Sequence, residues 1–118
     1  AMGAAKAILV SDDALAGADA LTTSKVLAKC VERAGDVDLV LTATESTDGY
    51  TGTTPAQVAE LLGWPSLTFA KHVDVGDGTA TIQRQTEAGY DVVTASLPAV
   101  VSVTAGGTRV FVPVRTYR

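Results

Sequence analysis

The residues with the most chemical potential lie in one polar run, Thr44 to Thr54, which reads TESTDGYTGTT. It carries Asp48, Gly49, Thr51, Gly52, Thr53 and Thr54 between an apolar run and a helix start. A glycine- and hydroxyl-rich loop entering a helix N-terminus can hold an anion. The first amides of a helix have no partner inside it, and together they carry about half a positive charge. Gly49 and Gly52 let the backbone approach a phosphate closely, and the threonines add hydroxyl donors. No lysine follows the glycines in the P-loop pattern and there is no G-x-G-x-x-G, so neither standard phosphate fingerprint applies. The same residues also describe a capped surface loop that binds nothing.

The elements around that loop read clearly. Asp38 to Ala43 is rich in strand formers, within a strand expected over Asp36 to Ala43. After the loop, Thr54-Pro55-Ala56-Gln57 has the form of a capping box, with Thr54 as N-cap, Pro55 at the first helical position and Gln57 reaching back. Val58, Leu61 and Leu62 supply an apolar stripe. Gly63 ends the helix, Pro65 prevents its continuation, and Trp64 is expected to pack over its end.

Other chemistry is thinly represented. His72 is the only histidine and sits in an alternating strand pattern with no nucleophile motif around it; a hydrolase would have to use it. Cys30 is the only cysteine, which excludes an internal disulfide and a cysteine-based metal site. It falls on the apolar side of a helix and reads as a small core residue. The carboxylates are scattered, with no pair spaced for acid–base work.

At 118 residues the chain is one domain, and its 47% hydrophobic content excludes disorder. A net charge of −4 argues against nucleic acid as the main partner. The apolar runs are too short to span a bilayer, and no signal peptide is visible. A reducing cytoplasm is the expected setting.

Taken in order, AKAILV (5–10) reads as a first strand, and Asp19 caps a helix running to Arg33. Leu27, Cys30, Val31 and Ala34 form its expected buried face, with Lys25, Lys29 and Glu32 outside. Gly35 stops it. The strand at 5–10, this helix and the strand at 36–43 are expected to form a βαβ unit with parallel strands. From Leu67 the apolar period changes to two, with Leu67, Phe69, Lys71 and Val73 on one side and Thr68, Ala70, His72 and Asp74 on the other. Gly76-Asp77-Gly78 is a hairpin turn, Thr79 to Gln85 a strand, Glu87-Ala88-Gly89 a turn and Tyr90 to Ala95 a returning strand. Leu97 to Val103 is expected to be a central strand buried on both faces. In the stretch Thr108 to Arg118, Pro113 permits only an edge strand.

Three segments carry a resemblance to the β subunit of electron transfer flavoprotein. Asp38 to Gly63 is similar to that family's DLVL…STDGDTGQVPAQLAELLG. Ile82 to Ser102 (IQRQTEAGYDVVTASLPAVVS) is similar to its signature, a basic position and an acidic–glycine turn followed by LPAVV. Ala1 to Lys29 resembles AMGADKAI…DALATSKVLA. The family usually has Asp where this chain has Tyr50 and Gln where it has Thr53. Ala88 and Asp91 also depart from the signature.

The resemblance implies an α/β fold: a partial nucleotide-binding (adenine nucleotide α-hydrolase-like) parallel sheet with helices, then an antiparallel β-rich half. It implies an incomplete domain over 1–104 and a divergent tail over 105–118. It carries the phosphate of AMP or FAD to Asp48, Gly49, Thr51, Gly52, Thr53 and Thr54, with weak or absent binding in a chain lacking the family's earlier strands. The implied role is that of an electron carrier, not a catalyst. The implied partners are the family's α subunit or a complementary N-terminal fragment, and a homo-oligomer is expected because those strands are missing. A non-redox scaffold derived from the family is the alternative.

Overall fold

The computed structural model describes residues 6–43, 53–104 and 109–111. After a short 3-10 turn, Asp13–Leu15, the chain forms α1 (Ala20–Ala34), β1 (Leu39–Ala43), α2 (Thr54–Leu62), β2 (Ser66–Gly76), β3 (Thr79–Thr86), β4 (Gly89–Ser96), β5 (Ala99–Val103) and β6 (Arg109–Phe111). They build one mixed sheet in the order β1-β5-β2-β3-β4, with β6 beside β2. β1, β5 and β2 run parallel, while β2, β3 and β4 form an antiparallel meander. The expected parallel part with helices and the antiparallel part thus share one sheet.

β5 is an interior strand, as its nearly all-apolar run requires. Ala99, Val100 and Val101 are fully buried between β1 and β2. One face of the sheet holds the larger core, with Leu67, Ala70, Val73, Val75, Ala80, Ile82 and Val101. On the other, Val58 and Ala59 of α2 pack on Val100, and Trp64 joins them over the helix end. Gly63, at φ 70°, closes α2 as expected, with the Trp64 N–H donating to the Ala59 carbonyl at 2.9 Å.

Several expectations are corrected. Residues 6–10 form no strand and are exposed, with Leu9 91% accessible. β-propensity is realised only when a ladder partner is present, and β1 takes β5 as its parallel partner instead. The βαβ unit expected from 5–10 and 36–43 is therefore not formed by the described residues. β1 starts later than expected, at Leu39, because Asp36 adopts φ 52°. Asp19 caps α1 as expected, but the helix is rotated. Ser24 and Ala28 are its buried residues, Cys30 and Val31 are half-buried, and Leu27 is 42% exposed. The reason is that α1 packs chiefly on α2, where two small residues one turn apart allow close approach.

β2 also breaks its simple alternation. Between the pairs Leu67↔Val101 and Ala70↔Val103, two β2 residues face the single Ser102. A second shift against β3 lies between Ala70 and His72. Each extra residue reverses parity, so Ala70 is buried while Phe69 is 48% exposed. The hairpin after β2 is a two-residue turn, Asp77 at φ 49° and Gly78 at φ 76°, matching the twist of its flanking strands. Within the tail, β6 pairs with β2 beside His72–Asp74.

Candidate functional site

Four of the six loop candidates, Asp48, Gly49, Thr51 and Gly52, lie outside the described residues. Thr53 and Thr54 stand at the start of α2. The cap is Thr53, one residue earlier than the pattern indicated. Its backbone is already helical (φ −103°, ψ −16°), and its side chain makes no capping hydrogen bond. The Thr53 carbonyl accepts from the Gln57 N–H at 3.0 Å. Before that bond, Thr54 and Ala56 have amides with no partner inside the helix, and Pro55 has none to offer. Thr53 is exposed, Thr54 half-buried and Pro55 buried.

The expected capping box is not made, because the Gln57 side chain is engaged elsewhere. Its Oε1 lies 2.9 Å from Ser24 Oγ of α1, a hydroxyl that also stands 2.7 Å from the Ala20 carbonyl oxygen. Ser24 is fully buried, so this polar contact fixes α2 against α1.

The N-terminus of α2 belongs to the carboxyl end of the parallel strands. Val58 packs on Val100. Helix rise carries Thr54 about 6 Å back from Val58, and strand rise carries Ser102 about 6.6 Å on from Val100. At this end of the sheet Ala43, Val103 and Ala70 form one row across β1, β5 and β2. Ligands of open parallel sheets bind outside such strand ends.

Two further residues mark the row just inside that edge. Thr42 and Ser102 are register partners. Thr42 Oγ1 is buried and has no hydrogen-bond partner among the described residues. Ser102, 2% exposed, accepts from the Phe69 N–H at 3.0 Å. Phe69 itself has φ 58°, a conformation costing a bulky residue about 1–3 kcal/mol. The neighbouring Thr68 carbonyl accepts from Arg84 Nε at 3.0 Å. Sequence reasoning passed over all three residues. Thr42 and Ser102 read as ordinary strand positions, and no local signal marks Phe69 as left-handed.

The described part of this site offers a phosphate two amides with no partner inside the helix, the exposed Thr53 hydroxyl, and the Thr42 hydroxyl, which has no partner among the described residues. Among the described residues no group of three or more His, Cys, Asp or Glu could hold a metal. His72 is half-buried on β2 opposite Gln83, as a strand residue of that pattern should be. No helix among the described residues is long and apolar enough to cross a membrane.

The electron transfer flavoprotein domain family matches residues 1–115. The electron transfer flavoprotein subunit beta of Mycobacterium tuberculosis (strain ATCC 25618 / H37Rv) is 41% identical over 102 residues, and that of Mycobacterium leprae is 42% identical. The caffeyl-CoA reductase-Etf complex subunit CarD of Acetobacterium woodii is 38% identical. Each alignment covers 86% of this chain; it covers 38% of the two mycobacterial proteins and 39% of CarD. The chain thus spans well under half the length of these relatives. A match over nearly the whole chain, with the parallel strands and the helix start in place, shows that the chain belongs to the electron transfer flavoprotein family.

Proposed function

We propose that this chain is a piece of an electron transfer flavoprotein β subunit that helps to hold the phosphate of an adenine nucleotide, AMP or FAD, at the start of α2. Asp48, Gly49, Thr51, Gly52, Thr53 and Thr54 are the phosphate-facing residues of this reading. The supporting observation is the helix start at the carboxyl end of parallel strands, where the Thr54 and Ala56 amides have no partner inside the helix and the Thr53 side chain makes no cap hydrogen bond. When bound, a flavin supplies the redox chemistry; the chain's own residues bind and orient the phosphate. The chain is an electron-carrier component and not a catalyst by itself.

Its partner on this reading is an electron transfer flavoprotein α subunit or a complementary fragment, and its compartment is the cytoplasm. On this reading residues 1–104 form the body and 105–118 a divergent tail, most of which the family match also spans. Among the described residues β1 has β5 as its only strand neighbour and Leu41 is 46% exposed, which favours association there.

Titration of the 118-residue chain with AMP, followed by amide chemical shifts, tests the reading. Weak, saturable shifts at Thr53, Thr54 and Ala56 are expected. Saturable shifts confined to other parts of the sheet overturn it, and sub-micromolar affinity contradicts the expectation of weak or absent binding.

The second reading, a non-redox scaffold, is favoured by the exposed apolar side chains of α1, Leu21 and Leu27, which suit a protein contact. A colourless oligomer on purification supports it, and a bound flavin argues for the first.

A further inference from the structure

Gln57 is placed to cap its own helix and does not. The first turn of α2 holds no acidic residue, and Thr53 makes no side-chain cap. Helical side chains lean toward the N-terminus, and a glutamine in this turn reaches the amide three residues back, here Thr54. The Gln57 carbonyl is held by α1 instead. Its Oε1 stands 2.9 Å from Ser24 Oγ, and Ser24 is fully buried. Ser24 Oγ is itself 2.7 Å from the Ala20 carbonyl oxygen one turn earlier, so its own helix fixes its position. Breaking the contact would take a partner from a buried hydroxyl, which is costly.

A second observation, from the sheet, points to an outside acceptor at this helix start. Val40 packs with Val58, Ala59 and Val100, so it lies on the face that α2 covers. β1 pairs with β5 without a shift, and alternation puts Thr42 on the same face, nearer the carboxyl end. There its buried Oγ1 has no hydrogen-bond partner among the described residues. Two amides with no partner inside the helix and this hydroxyl thus lie at one end of one face. All three are donors, and a phosphate offers several acceptor oxygens.

We propose that Ser24 is a positioning residue for the phosphate at the start of α2: by holding the Gln57 side chain against α1, it keeps the Thr54 and Ala56 amides open to the ligand. This rests on the phosphate reading above and adds a competitor to it. With the Ser24 hydroxyl removed, Gln57 Oε1 is released, turns back and caps Thr54. A cap of ordinary strength then competes with the phosphate by about fivefold in affinity.

Amide–water exchange measured by NMR on the full chain, before and during titration with AMP, tests this. In Ser24→Ala, exchange at Thr54 is expected to slow without ligand, and AMP affinity read at Thr53, Thr54 and Ala56 to fall by about fivefold. Both should return to wild-type values in Ser24→Ala/Gln57→Ala, and Gln57→Ala alone should match wild type. A contact that merely braces α2 gives another pattern: either single change weakens binding alike, and the double variant stays weak. That pattern, or unchanged Thr54 exchange in folded Ser24→Ala, overturns the proposal. If Ser24→Ala unfolds, Gln57→Ala decides alone: wild-type values support the proposal and weakened binding overturns it. Where AMP binds too weakly to measure, the exchange rates decide. Saturable AMP shifts confined to other parts of the sheet sink the phosphate reading, and exchange still judges the movement of Gln57.

Discussion

The Phe69 N–H donates to Ser102 Oγ at 3.0 Å, so a buried side chain on the interior strand β5 supplies the acceptor that a bulge in β2 would otherwise have lost. A bulge leaves its extra residue unpaired in the ladder, and a buried unpaired amide is costly. Ser102 is therefore a structural residue of the carboxyl edge. Its replacement by Ala should destabilise the chain by about 1–3 kcal/mol, read from urea unfolding. Phe69→Gly should fall within about 1 kcal/mol of wild type. Relief of the left-handed backbone offsets the loss of a ring that is only half-buried, whereas truncating a fully buried Phe costs about 3–5 kcal/mol.

Thr42 offers a sharper probe of the site. Its buried Oγ1 has no partner among the described residues, so Thr42→Val should stabilise the chain by about 1 kcal/mol in the same unfolding measurement. On the nucleotide reading the same change weakens AMP binding. A destabilised Val variant would show that the hydroxyl is satisfied.

The cap of α1 should make stability depend on acid pH. The backbone N–H of Thr22, donating to Asp19 Oδ1 at 2.7 Å, holds the carboxyl below its ordinary value of 3.8; the Thr22 side chain and Lys25 act in the same direction. A carboxyl whose folded value is depressed contributes stability above its unfolded value. That contribution is lost as pH falls through the lower folded value. Asp19→Asn should melt below wild type at neutral pH, and the gap should close in strong acid. A gap that stays constant across the range would show that the charge plays no part.

The contact between Ser24 and Gln57 joins the two helices through one buried hydroxyl. A double-mutant cycle with Ser24→Ala and Gln57→Ala should give a coupling of about 0.5–1.5 kcal/mol. Additive losses would mean that the helices are held by apolar packing alone.

Local patterns determined a good deal of this protein. The Asp19 cap, the Gly63 stop, the two-residue turn at Asp77-Gly78 and the buried run of β5 each follow from a few neighbouring residues, because backbone preference and hydrophobic period act at short range. The family resemblance was likewise legible, and the family match agrees with it. Of the six phosphate candidates, Thr53 and Thr54 were found at the helix start, with the cap shifted by one residue.

Tertiary structure decided what depends on partners. AKAILV has the composition of a strand, yet residues 6–10 form none, since no neighbour pairs with them among the described residues. Ser24 displaced Leu27 from the buried face of α1, because α2 and not the sheet lies against it. The bulge that exposes Phe69 and buries Ala70 arises from the register between β2 and β5, which sit far apart in the chain. A ladder's alignment is a property of two strands together, so neither strand's residues alone could specify it.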